Sequence, residues 1–330
     1  MRALPIAMIA GVGAAVPSGL LTNADLERTL DTSNEWIVER TGIRERHIAG
    51  PSETLTSYTL VAARQAMERA GVSASDLDGI IFATVTPDHR LPSAACDLQA
   101  ALGADRAWAF DVVAACPGWL FGLSVAEGLM RASLGDTILV IGAEKLSSIT
   151  DYTDRGTAIL FGDGAGAAVV KRATGDGRGI LSTYMGADGN LASLLHIPGG
   201  GAAEPLTAEV LHDKKHLIKM AGREVFKAAV LAMSRSTDAA IDRAGITPED
   251  IDILIPHQAN LRIIEATAKH ANIPMDKVMV NVDRYGNTSS ASIPLAIAQA
   301  EAEERLKPGM VTMLVSFGAG FTWASVVVRW

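Results

Sequence analysis

Cys116 occupies a position typical of a nucleophile, in the stretch AFDVVAACPGWLFGL (109–123). An apolar, strand-like run precedes it, Pro117 and Gly118 follow it, and the segment from Trp119 onward has helical periodicity. Because proline favours the first position of a helix, we predict that Cys116 caps this helix. The helix dipole would stabilise a thiolate there, and free N–H groups would stabilise an oxyanion. The alternative is a small buried residue in a tight turn.

Two further polar residues follow strand-like runs in the second half of the chain. His257 lies in ILIPHQANLRIIEATAKH (253–270), just past a buried strand and before a helix beginning near Asn260. Asn287 lies in NVDRYGNTSSASIP (281–294), in a turn after another apolar run, where an asparagine is most often a turn or cap residue. Since ligand sites form at the carboxyl ends of strands, we expect these residues to meet Cys116 at a common centre.

Other candidate sites are weaker. The Gly-Ala-Gly turn of LVSFGAGFTWAS (314–325) would let backbone N–H groups approach a ligand, or would simply connect two strands. FGDGAGAAVV (161–170) is followed by a strand and not a helix, so it is a poor dinucleotide fingerprint. His212 and His216 lack an evident third ligand, and Cys96 lies on a predicted helix. We therefore expect no metal site and a structural role for Cys96.

Local groups of basic residues stand out against the acidic total. Lys219, Arg223 and Lys227 are spaced four apart, as on one helix face, and Arg262 and Lys269 are seven apart on the helix after His257. The pattern is typical either of ordinary solvated faces or of a surface that binds an anionic, phosphate-bearing partner.

The chain repeats itself. RAGVSASDLDGIIFAT (69–84) matches RAGITPEDIDILIPHQ (243–258) at an offset of 243 − 69 = 174. LGDTILVIGAE (134–144) matches PGMVTMLVSFGAG (308–320), with Gly135 against Gly309 at the same offset, 309 − 135 = 174. A third pair sets Asp111 against Asp283 at 172. We infer a duplication, with halves at residues 1–172 and 173–330.

Strand-like and helix-like segments alternate within each half. Short β-branched runs such as IIFATV, TILVIG, KVMVNV and TMLVSF alternate with segments of helical periodicity such as VAARQAMERA and SIPLAIAQAEAEE. This order predicts an α/β protein with mostly parallel sheets, and two such halves would form a five-layered α/β/α/β/α arrangement. The segment HIPGGGAAEP (196–205) is predicted to be a flexible loop between the halves.

Composition excludes several classes of protein. The chain has 330 residues and a formal net charge of −8, which argues against general nucleic-acid binding. Its two cysteines favour a reducing compartment, and no apolar run has the length of a membrane span. The start, MRALPIAMIAGVGAAVPSG, is interpreted as a buried strand and turn rather than a targeting segment. We expect a cytoplasmic protein without a membrane partner.

Taken together, these segments resemble the β-ketoacyl-[acyl-carrier-protein] synthase III family of the thiolase-like superfamily. The resemblance runs along the whole chain, and its most specific pieces are SNEWIVERTGIRERHIA, AFDVVAAC, TDRGTAILFGDGAGAAV, PHQANLRII, YGNTSSAS and FGAGFTW. It implies a thiolase fold, a homodimer and a catalytic set of Cys116, His257 and Asn287. It also implies a multifunctional acyltransferase of fatty-acid synthesis that condenses an acyl-CoA primer with malonyl-acyl-carrier protein, without a cofactor.

The resemblance also implies roles for further residues. The amides of Cys116 and Ala319 would form the oxyanion hole. Coenzyme A would be bound by Trp36, Arg40, Arg155 and Asn260, and the acidic carrier protein by Gln258, Arg262, Lys227, Lys269 and Arg223. The chain departs from the family pattern at Pro117, at Ala319 in FGAGF, and at Leu91, where a smaller primer-pocket side chain would admit longer or branched primers.

Other functions fit the same residues. A specialised relative that primes a polyketide or other secondary-metabolite pathway would use the same three catalytic residues, as would a plain acyltransferase. A non-catalytic acyl-CoA-binding protein would not need them. An oxidoreductase would need a nucleotide fingerprint, which the sequence does not contain.

Overall fold

Strands and helices alternate along most of the chain, whose computed structural model describes residues 4–330 and leaves Arg2 and its two neighbours outside the described part. The strands are β1 (Ala7–Ala15), β2 (Gly19–Thr22), β3 (Glu45–Ile48), β4 (Gly79–Ala83), β5 (Trp108–Val112), β6 (Thr137–Glu144), β7 (Gly164–Arg172), β8 (Gly179–Ala187), β9 (Leu195–His196), β10 (Lys219–Met220), β11 (Ile253–Pro256), β12 (Val311–Gly318) and β13 (Thr322–Arg329). The α-helices are α1 (Asn23–Glu27), α2 (Asn34–Thr41), α3 (Leu55–Ala70), α4 (Ala94–Leu102), α5 (Gly118–Arg131), α6 (Arg155–Ala158), α7 (Ala208–His212), α8 (Gly222–Ala244), α9 (Leu261–His270), α10 (Val282–Tyr285) and α11 (Ser292–Ala302).

Two sheets share one strand order over four strands, as the inferred duplication predicts. The order of the strands in the first sheet is β1-β7-β6-β4-β5, and in the second it is β8-β13-β12-β11. The first four strands of the first sheet thus correspond in order to the four strands of the second. The offset expected from the sequence recurs in space, because β4 begins at Gly79 and β11 at Ile253, and 253 − 79 = 174. The predicted boundary after residue 172 falls between β7 and β8.

The sheets are mixed, so the expectation of mostly parallel sheets is wrong. Strands β5, β4 and β6 are parallel, as are β11 and β12, whereas β7, β1, β13 and β8 pair antiparallel with their neighbours. The reason is local. Strand β13 follows β12 through residues 319–321 alone, and so short a connection returns the chain in the opposite direction.

Helices and sheets form five layers, as predicted. Helices α5 and α11 lie between the two sheets, where Trp119 and Leu123 from α5 and Ile297 from α11 share one core with residues of both sheets. Helices α3 and α4 cover the outer face of the first sheet, and α8 and α9 cover the outer face of the second. The central helices therefore begin at the edge where the strands of both sheets end.

Helix ends follow local sequence signals. The RAG segments end α3 and α8 with Gly71 and Gly245 in the left-handed conformation, at φ 63° and 57°. Glycine is favoured there because it has no Cβ to clash with the preceding turn. Thr54 caps the start of α3, where its side chain accepts a hydrogen bond from the Ser57 N–H.

Two details of the sequence interpretation are corrected. The run KVMVNV contributes a single bridging residue, Val278, beside Leu254, so Asp283 lies in α10 while Asp111 lies in a strand. The segment 196–205 lies within the second half, after β8, and not between the halves. Among the described residues, no helix is long and apolar enough to cross a membrane.

Candidate active site

The loop from β5 to α5 presents Cys116. Ala115 has a left-handed φ of 50°, and the Gly118 N–H donates a hydrogen bond of 2.8 Å to the Ala115 carbonyl. Helix α5 then begins at Gly118 with Pro117 as its N-cap. The prediction that Cys116 is the cap is therefore wrong by one residue, because the tight turn at Ala115 places proline at that position. Cys116 lies immediately before the helix N-terminus.

Cys116 is partly buried, and its surroundings oppose ionisation. Burial raises the pKa of its thiol to about 12, which the Ser289 hydroxyl counteracts by hydrogen bonding and the carboxylate of Glu144 reinforces. The adjacent helix N-terminus favours the thiolate. Burial and the helix N-terminus therefore act in opposite directions on the thiol.

His257 continues the line of β11 into the site. Its backbone N–H donates to the Val315 carbonyl at 2.8 Å, and its Nδ1 lies 2.6 Å from Oγ of Ser292, the first residue of α11. The ring is buried, its Nε2 has no partner in residues 4–330, and burial lowers its pKa to about 3. The Gln258 N–H approaches the Ser292 oxygen at 3.4 Å, so the hydroxyl is set to donate to Nδ1. This favours the neutral tautomer with its proton on Nε2.

Asn287 is held by its backbone and by one side of its amide. Its N–H donates to the Leu160 carbonyl at 2.8 Å, and its own carbonyl accepts from the Gly162 N–H at 3.0 Å. Its Oδ1 accepts from the Ser289 N–H at 2.9 Å. The Nδ2 group therefore remains to donate to a ligand.

Two cavities meet at Cys116. One, of about 120 Å³, is lined by Cys116, His257 and Asn287 and extends past Asn260 towards the start of α8. The other, of about 230 Å³, has mainly apolar walls and includes Ala319. The three residues predicted from separate segments thus line one cavity, and the thiol faces a second.

The loops of Cys116 and Ala319 are in direct contact. A Cβ atom on Gly318 would lie 2.7 Å from the Cys116 nitrogen, so only glycine fits there. Ala319 is not among the described residues with positive φ, so its methyl group is tolerated. Within residues 4–330, neither the Cys116 nor the Ala319 amide donates a backbone hydrogen bond. Both amides are therefore free to stabilise an oxyanion.

Comparison with known proteins agrees with this geometry. The family models described as 3-oxoacyl-[acyl-carrier-protein] synthase III, and as its C-terminal part, match residues 110–189 and 241–330. The β-ketoacyl-[acyl-carrier-protein] synthases III of Symbiobacterium thermophilum and Roseiflexus castenholzii are 50% and 49% identical over 100% and 98% of this chain, and over 99% and 98% of their own lengths. The chain belongs to the β-ketoacyl-[acyl-carrier-protein] synthase III family. It is therefore an acyl-transferring, condensing enzyme of fatty-acid synthesis.

Solved structures place this synthase among thiolase-like folds. The 3-oxoacyl-[acyl-carrier-protein] synthase III of Aquifex aeolicus superposes with a TM-score of 0.91 at 45% identity, covering 98% of this chain and 100% of its own. The priming β-ketosynthase of the R1128 polyketide pathway superposes at 0.90 with 32% identity, covering 99% and 97%. The fold alone is therefore shared by enzymes named for different pathways.

The residues expected to bind coenzyme A lie together on the surface of the synthase. The guanidinium carbons of Arg155 and Arg40 lie 4.6 and 5.3 Å from the ring centre of Trp36. Asn260 caps α9 and donates from Nδ2 to the Arg40 carbonyl at 3.0 Å. Because Asn260 also lines the catalytic cavity, it connects this basic, aromatic surface with the site.

The basic residues expected to face the carrier protein are exposed. Arg223 and Lys227 lie on the first two turns of α8, and Arg262 and Lys269 on α9. Lys219 does not share this helix face, because it lies in β10.

The prediction that Gln258 contacts the carrier protein is wrong, because its side chain is buried. It is 1% exposed, and its amide nitrogen donates to the carbonyls of Pro256 and Met279. Its oxygen accepts from the N–H groups of Asn281 and Val282. The side chain is therefore fully engaged in holding backbone and cannot contact a partner.

Leu91 lies outside both cavities. Its side chain is 88% exposed, and it lines neither the catalytic cavity nor the apolar one. Cys96 lies on α4, also away from the cavities, with its Sγ accepting from Ser93.

The sequence interpretation missed two polar residues at the site. Ser292 orients His257, and Glu144, buried at the end of β6, contacts the turn that follows Asn287. An acidic residue at the end of the apolar run TILVIGAE was a usable signal, because polar residues at strand ends gather at ligand sites.

Proposed function

We propose that this synthase condenses its substrates through an acyl-Cys116 intermediate, with His257 and Asn287 stabilising the enolate of the second substrate. The observation that carries this proposal is that these three side chains line one cavity while Cys116 also faces an apolar one. The thiol of Cys116 would therefore take part in both half-reactions, transfer of the acyl group and condensation.

In the first half-reaction, the Cys116 sulfur attacks the carbonyl carbon of an acyl-CoA. The bond from that carbon to the sulfur of coenzyme A breaks, and the thiol proton ends on the leaving thiolate. The amides of Cys116 and Ala319 stabilise the oxyanion formed between these events. The acyl chain enters the apolar cavity.

In the second half-reaction, malonyl on acyl-carrier protein occupies the catalytic cavity. Its carbon–carbon bond to the carboxylate breaks, CO₂ leaves, and the electron pair forms an enolate. The Nε2–H of His257 and the Nδ2–H of Asn287 donate to the enolate oxygen. The enolate carbon attacks the acyl carbon, the bond from that carbon to sulfur breaks, and Cys116 leaves as a thiolate that takes a proton from solvent water. A neutral histidine suits this role because it donates without titrating.

The surface around Trp36 would bind the adenine and phosphates of coenzyme A. Arg155 covers the ring at stacking distance in the free enzyme, so an adenine that stacks there would replace its guanidinium group. Arg40 would then hold a phosphate, and Asn260 would contact the pantetheine arm at the cavity mouth. No metal or redox cofactor is required by these steps.

The apolar cavity supports a primer longer than acetyl. Its volume of about 230 Å³ is lined by Val85, Leu146, Phe161 and Ile218, none of which offers a charge. Leu91 could shape this cavity only in a second copy of the chain, because it is exposed in its own.

A homodimer is supported by the edge of the first sheet. Strand β5 ends the sheet, Val113 just beyond it is 78% exposed, and Phe110 and Leu134 add further exposed apolar surface. An open, apolar edge strand of this kind favours pairing with another strand. We propose that the enzyme is cytoplasmic and forms a dimer through β5. In light scattering, Val113→Glu should then have the mass of a monomer. An unchanged dimeric mass would exclude this surface.

A second candidate is the priming of a secondary-metabolite pathway. It is favoured by the superposition on a polyketide priming enzyme. The panel of acyl-CoA primers described below distinguishes this function from the initiation of fatty-acid synthesis.

Intact-protein mass after incubation with acyl-CoAs, from acetyl to decanoyl and including branched primers, tests the proposal. We expect one acyl adduct, mapped to Cys116 by peptide digestion and absent in Cys116→Ala. Absence of an adduct with every CoA thioester would overturn the two-step mechanism.

A further inference from the structure

Glu144 is a buried carboxyl group that the two half-reactions do not use. It lies at the end of β6 with 0% exposure. It pairs with no lysine or arginine in the described part of the chain. Five neutral groups lie within hydrogen-bond distance of it: the hydroxyls of Thr84, Thr86, Ser289 and Ser290, and the N–H of Val85. The single proton of the Ser290 hydroxyl is shared with the Ala83 carbonyl at 3.0 Å. A carboxyl group isolated from water needs such donors, because an unsatisfied buried charge is costly.

The two oxygens of Glu144 hold two different segments. Oε2 accepts from residues 84–86 at 2.7 to 3.1 Å, and Val85 lines the apolar cavity. Oε1 accepts from Ser289 at 3.2 Å and from Ser290 at 3.1 Å. Ser289 has a left-handed φ of 50°, which a residue with a Cβ adopts only when its surroundings hold it there.

The Ser289 turn in turn orients the Asn287 amide. The Ser289 N–H donates to Asn287 Oδ1 at 2.9 Å, and this is the contact that leaves Nδ2 to donate into the cavity. A short chain of contacts therefore runs from Glu144 through the Ser289 hydroxyl and backbone to the side chain of Asn287. The Ser289 hydroxyl also contacts the Cys116 thiol.

We propose that Glu144 is a positioning residue for the condensation step, which it serves by holding the Ser289 turn and thereby the Asn287 amide in donating geometry. The inference rests on the role of Asn287 proposed above. It goes beyond that role because Glu144 touches no substrate and acts only through Ser289.

The donors around Glu144 favour its carboxylate form against burial, which raises the pKa of the group to about 7. The two oxygens of a carboxylate accept from both segments, whereas a glutamine accepts with one oxygen only. The Val85 N–H can only donate, so the oxygen of a glutamine would face residues 84–86 and its amide would face Ser289 and Ser290. Ser290 can still donate to the Ala83 carbonyl at 3.0 Å and accept from the amide. The Ser289 hydroxyl would have to turn away, which loosens the turn.

The experiment compares Glu144→Gln with Thr84→Val. Thr84 donates to the same carboxyl group but on the side away from Asn287, so its variant is the matched control. Two rates are measured for each variant. One is acylation of Cys116 by acetyl-CoA, followed by intact mass, and the other is release of labelled CO₂ from malonyl-acyl-carrier protein by the acylated enzyme.

We expect Glu144→Gln to slow CO₂ release roughly 10- to 100-fold while acylation stays within about threefold, since removal of a whole oxyanion donor costs about 100- to 1,000-fold. Thr84→Val should change the ratio of the two rates by less than about threefold. Equal losses in both rates, or no loss in either, would overturn the inference.

A second variant covers the case in which Glu144→Gln does not fold. Ser289→Gly removes the hydroxyl but keeps the N–H and suits the left-handed φ. It should slow CO₂ release by a similar factor, and in its background Glu144→Gln should slow CO₂ release little further. Because the Ser289 hydroxyl also contacts the Cys116 thiol, only CO₂ release by enzyme that is already acylated is compared for this variant. Asn287→Ala, measured alongside, distinguishes the two proposals. If Asn287→Ala leaves CO₂ release intact, the proposed role of Asn287 fails. If Asn287→Ala slows it and the Glu144 and Ser289 variants do not, only the present inference fails.

Discussion

Nδ1 of His257 lies 2.6 Å from Oγ of Ser292, so the first residue of a central helix orients the imidazole at the end of a strand. Helix α11 lies between the two sheets, and its position is set by the core on both sides. The orientation of the His257 ring is therefore fixed by the layers of the fold and not by a mobile loop.

Replacing Ser292 by alanine tests this relationship. Loss of the Nδ1 partner removes the preference for the Nε2–H tautomer, so condensation should slow by roughly 10- to 100-fold, as for partners of other functional histidines. Acylation of Cys116 should change much less. Ser292→Thr, which keeps the hydroxyl, is the conservative control. Equal rates of CO₂ release in Ser292→Ala and the parent would contradict the role of this contact.

Burial of His257 predicts a pH dependence of stability. The pKa of its imidazole is lowered from 6.5 to about 3, so below pH 6.5 the unfolded chain binds a proton that the native protein does not. Its contribution to stability is thus present above that pH and is lost as the pH falls towards 3. At about pH 5 the loss should be on the order of 2 kcal/mol.

Urea unfolding of His257→Asn across about pH 5 to 7 measures this contribution. The variant should lose less stability than the parent as the pH falls. His212→Asn, at an exposed position, is the control and should follow the parent. Parallel curves for His257→Asn and the parent would contradict the prediction.

The contact between Gly318 and Cys116 predicts an effect of a single methyl group. A Cβ at Gly318 would lie 2.7 Å from the Cys116 nitrogen and 2.9 Å from its Cβ, so Gly318→Ala must displace the nucleophile loop. Because small displacements of reacting groups cost about 100-fold, we expect at least that loss in acylation rate. Gly128→Ala, on the helix that follows Cys116 and with open space around it, should leave acylation unchanged. Full acylation of Gly318→Ala would show that the loop tolerates displacement.

The exposed cations of α8 and α9 predict the effect of charge reversal on the carrier substrate. Arg262→Glu and Lys269→Glu should each raise KM for malonyl-acyl-carrier protein several-fold, with a smaller effect at high salt, since screened surface charges mainly affect association. Lys307→Glu, at an exposed position outside α8 and α9, is the control. A KM that rises equally in all three would show that net charge, and not this face, governs binding.

Gln258 should behave differently from those cations. Since its side chain bonds four buried backbone groups, Gln258→Ala should destabilise the protein by about 2 to 4 kcal/mol. Thermal unfolding measures this loss. A native-like stability with a raised KM for the carrier protein would restore Gln258 to the binding surface.

The alternation of strands and helices and the matching strand order of the two sheets were predictable, because apolar periodicity and a repeated offset are present in the chain itself. The same patterns could not distinguish strand directions. A short apolar run such as KVMVNV also satisfies strand periodicity, although only Val278 pairs with a neighbouring strand.

The sequence analysis found the three side chains that line the shared cavity, but not the residues that hold them in place. Cys116, His257 and Asn287 each follow an apolar run and carry a reactive group. Gln258 and Ser292 carry ordinary polar groups whose direction depends on tertiary packing, so the sequence placed one wrongly on the surface and passed over the other. Glu144 was overlooked because its partners come from loops distant in sequence.

The most direct test of the mechanism is a single turnover with enzyme that is already acylated on Cys116. Wild type, His257→Ala and Asn287→Ala are each charged with acetyl-CoA, freed of excess reagent and mixed with malonyl-acyl-carrier protein while intact mass is followed. We predict that all three carry the adduct and that only wild type discharges it rapidly, with release of CO₂. Discharge at the wild-type rate by either variant would contradict the assignment of that residue to the enolate.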